Sequence, residues 1–107
     1  MQGYKNISSK DFEEGLKSNP EAVLLDVRTD AEYFEEHIPG AIQINIMSPD
    51  FPERIQELDR AKAYFVYCRS GSRSGSACGY MASQGFTELY NLAPGIMGWN
   101  GEIVGNL

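Results

Sequence analysis

Apolar residues in this chain fall into two alternating patterns. Short apolar runs, Ala22-Val23-Leu24-Leu25-Asp26-Val27, which ends in a polar group, and Ala63-Tyr64-Phe65-Val66-Tyr67, predict strands buried inside a sheet. Ala41-Ile42-Gln43-Ile44-Asn45-Ile46 alternates like a strand, and Glu88-Leu89-Tyr90-Asn91-Leu92 reads as the last one. Between them, apolar residues recur at helical spacing. Ser8 or Ser9 can cap a helix carrying Phe12 and Leu16 that stops near Asn19-Pro20. Asp30 can cap a short helix with Tyr33 and Phe34, and Pro39-Gly40 marks a turn. Phe51, Ile55 and Leu58 predict a helix over 49–58, and another over 73–84 is ended by Gly85. A short helix is expected over 96–104. Strands alternating with helices indicate an α/β fold, a parallel sheet covered on both faces.

Ligands in such sheets bind outside the carboxyl ends of the strands. One strand ends in the segment Cys68-Arg69-Ser70-Gly71-Ser72-Arg73-Ser74, small and basic residues directly after an apolar run. That change predicts a tight loop leading into a helix N-terminus. Unpaired amides and the positive end of the helix dipole favour an anion there. A thiol so placed ionises below its free value of about 8.5, and the thiolate is the reactive species.

Composition narrows the picture. The chain has 107 residues, 42% hydrophobic and 22% charged, which predicts one soluble domain over 1–107. A net charge of −6 without a basic face argues against nucleic acid or an anionic membrane as partner. Against that background Arg69 and Arg73 focus attraction for a small anion on the loop. Two cysteines make no disulfide framework and fit a reducing compartment. The segment Met1-Gln2-Gly3-Tyr4-Lys5-Asn6 lacks the apolar centre of a signal peptide, so a cytoplasmic location is expected.

These motifs, taken in order, resemble a single-domain rhodanese of the sulfurtransferase family across nearly the whole chain. Leu24-Leu25-Asp26-Val27-Arg28, Glu32-Tyr33 and His37-Ile38-Pro39-Gly40-Ala41 are similar to the family's first signature. The Cys68–Ser74 segment, Gly85-Phe86, Asn91-Leu92 and Gly95-Ile96 up to Trp99 are similar to its second. Two positions depart from the pattern: Glu36 stands where the family usually has glycine, and Pro94-Gly95 where it favours paired glycines.

The resemblance implies a three-layer domain whose central parallel sheet has about five strands. It implies that Cys68 takes the outer sulfur of a donor such as thiosulfate and passes it on from a persulfide, with no cofactor and no metal. The acceptor would be cyanide in an assay and a thiol in a cell. A desulfurase persulfide, thioredoxin, glutathione and a sulfur-carrier protein are all open as partners. Backbone amides from Arg69 through Ser74 would surround the persulfide, with Gly71 allowing the curl. Arg69 and Arg73 would hold donor oxygens, and Ser70, Ser72 and Ser74 would add hydroxyl donors. The alternative is a persulfide relay module with little turnover on thiosulfate. Cysteine-dependent phosphatases share the loop type, but theirs is one residue longer and suits a whole phosphate.

Other candidates have plainer readings. Cys78 is either a resolving thiol or a core residue beside Ala77 and Met81, and packing is the simpler role. His37, the single histidine, fits a hydrogen-bonded turn, and with two cysteines it makes no zinc site. Arg28 is expected to pair with Glu32 or Asp26 and to fix the loop above the sheet. Trp99 and Met97 lie either at the pocket mouth or in the core. Glu13, Glu14, Glu32, Glu35, Glu36, Glu53 and Glu57 read as solvated helix faces.

Overall fold

The computed structural model describes residues 3–105. Met1 and Gln2, part of the segment that lacks the apolar centre of a signal peptide, lie outside the described residues, as do Asn106 and Leu107. The elements run β1 (Lys5–Ile7), α1 (Ser9–Ser18), β2 (Val23–Asp26), α2 (Asp30–Glu35), β3 (Glu36–His37), β4 (Ile42–Gln43), α3 (Phe51–Gln56), β5 (Ala63–Tyr67), α4 (Ser72–Ser83), β6 (Glu88–Leu92), a 3-10 turn (Ile96–Gly98) and β7 (Val104–Gly105).

Five strands form one sheet in the order β1-β6-β5-β2-β4, and every ladder in it is parallel. Alternation along the strands divides the core into two layers. Leu25, Val27, Tyr64, Val66 and Leu89 face Phe51 and Ile55 of α3 and Ala77, Cys78 and Met81 of α4. Leu24, Ala63, Phe65, Tyr67 and Leu92 face the opposite way, toward Phe12 of α1, Ile38 and Ile96. The central strand β5 is buried at all five positions, as its unbroken apolar sequence requires. The α/β class with a covered parallel sheet is therefore present as expected.

Several local expectations are corrected. Thr29, not Asp30, caps α2: its hydroxyl accepts from the Glu32 N–H while the Glu32 carboxylate accepts from the Thr29 N–H, a reciprocal capping box. The strand expected over 41–46 pairs formally only at Ile42–Gln43, although Ile44 and Ile46 still donate to the carbonyls of Asp26 and Val27. The helix expected over 49–58 is shorter, Phe51–Gln56. That over 96–104 stops after one turn, because Gly98 and Gly101 are poor helix formers and Trp99 is extended. The chain then forms β7, antiparallel to β3. Strand β1, three residues on the sheet edge, was not foreseen, since Lys5-Asn6-Ile7 carries no apolar run.

The connection from β2 leads to β4 on one side of the sheet, and that from β5 leads to β6 on the other. Adjacent chains thus diverge above β2 and β5, opening a crevice where such sheets bind ligands. Arg28 and Cys68 follow these two strands.

Candidate active site

Tyr67 ends β5, and the chain turns at once into the loop that becomes α4. Gly71 is the residue before the helix and adopts φ +97°. A Cβ there would stand 2.2 Å from the Ala93 carbonyl oxygen, so both conformation and space call for glycine. Gly95 closes the other side: a Cβ on it would lie 2.1 Å from the Arg69 carbonyl oxygen. Its neighbours pin the loop from outside, the Ile96 N–H donating to the Cys68 carbonyl (2.9 Å) and the Met97 N–H to that of Arg69 (3.2 Å). With these carbonyls turned outward, loop amides face the sulfur.

Cys68 is 1% exposed. The Gly71 N–H donates to its Sγ at 3.1 Å, and the Ser74 hydroxyl lies 3.3 Å from it. Burial pushes the Cys68 thiol up; the Ser74 hydroxyl and the amides of Ser74, Ser70 and Gly71 outweigh it, and the net displacement is downward. The other cysteine behaves oppositely. Cys78 lies in the core of α4, where burial and then the charge of Cys68 raise its thiol to about 12.

Behind the loop stands Asn91, 3% exposed on β6. Its amide nitrogen donates to the Gly71 carbonyl (3.1 Å) and to Asn6 Oδ1 (2.8 Å), and its Oδ1 receives the Ser74 hydroxyl at 2.5 Å. Sequence reasoning placed Asn91 in the second signature but gave it no role in the site, though a buried strand carrying one amide between Tyr90 and Leu92 was the available signal.

The charged residues divide into pairs. Asp26 is fully buried and holds Arg28 by both carboxylate oxygens, with Arg28 Nη2 2.7 Å from Oδ2. Of the two partners open to Arg28, the structure selects Asp26. Arg28 also donates to the Glu36 carbonyl (2.7 Å) and lies over the Tyr67 ring, which fixes the chain above the sheet. Arg73 does not stand free: it forms a two-pronged pair with Glu32 at 2.8 and 2.9 Å. That guanidinium, opposed by burial and aided by Thr29, holds the Glu32 carboxyl down at about 2. Glu32 is thus no merely solvated residue; it ties α2 to the cysteine loop.

Arg69, Ser70 and Ser72 are exposed, and neither the Ser70 nor the Ser72 hydroxyl bonds Sγ. His37 stacks on Tyr33 (3.8 Å) and its Nδ1 lies 2.8 Å from the Tyr33 carbonyl. Trp99 packs edge-on against Phe12, whereas Met97 is 68% exposed beside the loop. Among the described residues no cluster of metal-binding side chains occurs, and no helix is long and apolar enough to cross a membrane.

A doubly covered parallel sheet with an amide-lined cysteine loop at the carboxyl end of its central strand, opening into a helix N-terminus, defines a class of α/β domain whose loop favours an anion. The match to known proteins agrees: residues 8–102 fit the rhodanese-like domain, and the chain belongs to that family. It is similar to the protein YtwF of Bacillus subtilis, 41% identical over 92% of each chain. A sulfurtransferase of Allochromatium vinosum is 36% identical, covering 87% of this chain and 85% of that one. The crystal structure of a rhodanese-related protein from Thermoplasma volcanium superposes with a TM-score of 0.81 at 29% identity, covering 94% of this chain and 98% of that one.

Proposed function

We propose that this chain transfers sulfane sulfur through a persulfide on Cys68, taking it from thiosulfate or a persulfide and delivering it to a thiol or cyanide. The observation that carries the reading is the ring of donors on Sγ: the Gly71 N–H at 3.1 Å, the Ser74 hydroxyl at 3.3 Å and the helix N-terminus beneath. In the first step the Cys68 thiolate attacks the outer sulfur of thiosulfate. The Sγ–S bond forms, the thiosulfate S–S bond breaks, and sulfite leaves with the electron pair. In the second, an acceptor nucleophile attacks the outer sulfur, and the Cys68 thiolate is the leaving group, the ring again taking up its charge.

Burial supports this division of labour. Sγ itself is covered, but a persulfide moves the reactive atom about 2 Å from it, the length of an S–S bond. Arg69, exposed and unpaired among the described residues, is the cation that meets donor oxygens. Arg73 acts at one remove, since its guanidinium is committed to Glu32. Cys78, in the packed core, takes no part.

Sulfite release from thiosulfate in the presence of cyanide tests the reading. It is expected from the unsubstituted chain and lost in Cys68→Ser; release that survives this substitution overturns the assignment. A relay module, the second form of the same chemistry, would take sulfur from a desulfurase persulfide while releasing little sulfite.

A further inference from the structure

Beside the cysteine loop lies a cavity of about 240 Å3 whose walls include Arg28, Glu32, Glu35, Glu36, Arg69 and Met97. It adjoins the candidate nucleophile through two residues. Arg69 directly follows Cys68, and Glu32 holds Arg73, whose guanidinium feels the charge of the Cys68 sulfur. The wall charges sort into committed and uncommitted. Arg28 is neutralised by Asp26, and Glu32 by Arg73. Among the described residues Arg69, Glu35 and Glu36 have no ion-pair partner.

The residues lining the cavity therefore carry one uncommitted cation and two uncommitted carboxylates, around room for a group of amino-acid size. A dianion such as thiosulfate finds Arg69 but must approach the two carboxylates, on a chain already carrying −6. A zwitterion satisfies both signs at once.

We infer that the donor suited to this cavity is an α-amino-acid persulfide of the cysteine type, its carboxylate on Arg69 and its ammonium on Glu35 and Glu36. The inference rests on the reading of Cys68 as the sulfur-accepting thiolate. Cys68 Sγ attacks the outer sulfur of RS–SH, the new S–S bond forms as the donor's breaks, and the donor departs as its thiolate with the electron pair. The proton on the transferred sulfur passes to solvent, leaving a persulfide anion in the amide ring. No net oxidation occurs.

The test is the rate of sulfur uptake by the full chain, followed by mass, from cysteine persulfide and from 3-mercaptopropionate persulfide, which lacks only the ammonium. The expected result is a preference of about tenfold for cysteine persulfide at low salt, shrinking as salt is added. The double variant Glu35→Gln, Glu36→Gln is expected to lose that preference while still loading Cys68. Equal rates from the two donors in the unsubstituted chain, or a preference unchanged in the double variant, overturn the inference and leave sulfur uptake standing. Failure to load from these donors and from thiosulfate overturns the Cys68 reading and this inference together.

Discussion

Replacing Ser74 by alanine measures how the loop divides the work of stabilising the Cys68 thiolate. Its hydroxyl has one proton and two claimants, Cys68 Sγ at 3.3 Å and Asn91 Oδ1 at 2.5 Å. With the thiol neutral, that proton belongs to Asn91; with the thiolate formed, the hydroxyl turns to sulfur and gives up the amide. A hydrogen bond to a charged group is worth about 1.5–3 kcal/mol and the neutral one surrendered about 0.5–1.5 kcal/mol. The net is about 1–1.5 kcal/mol of thiolate stabilisation, so Ser74→Ala moves the Cys68 titration upward. The amides of Ser74, Ser70 and Gly71 keep the rest. The rate of alkylation against pH reads the value directly, because Cys78, at about 12 and in the core, stays silent in the working range. Ser74→Ala also strands the buried Asn91 oxygen, so thermal unfolding should show a loss of about 1–3 kcal/mol. A folded variant with an unmoved Cys68 titration would refute the shared-proton account.

Other perturbations separate the supporting residues. Glu32 has its carboxyl lowered from 4.5 to about 2, so the folded state gains from its ionisation above pH 4.5 and loses that gain as pH falls toward 2. Thermal unfolding across that window should show a steeper acid loss in the unsubstituted chain than in Glu32→Gln, which at neutral pH is less stable by about 1 kcal/mol. Asp26→Asn leaves the buried Arg28 charge without its partner and is expected to cost about 3–5 kcal/mol, measured by denaturant unfolding. Cys78→Ala opens a small core gap worth about 1–2 kcal/mol by the same assay, yet takes up sulfur at the unsubstituted rate.

The sheet was legible because its interior strands have only one way to satisfy their composition. Ala63–Tyr67 is apolar at every position and ends at the cysteine, so strand, loop and site followed from one stretch of sequence. Gly71 was legible too, since a curl into a helix demands it. Less visible were contacts between distant segments. Nothing local to Arg73 names Glu32, 41 residues away, as the group that occupies it, and both arginines seemed equally free. Asn91 bridges β6 to Gly71 and Asn6, a role set by tertiary placement. Strand β1, at the sheet edge, and strand β7, paired only with β3, escaped notice because two or three residues pairing there need no hydrophobic pattern.

Intact-mass spectrometry after exposure to a sulfane donor, followed by peptide mapping, tests the central claim most directly. One added sulfur is expected, located on Cys68 and removed by a thiol. A chain that stays unmodified, or that carries the sulfur on Cys78 instead, would contradict it.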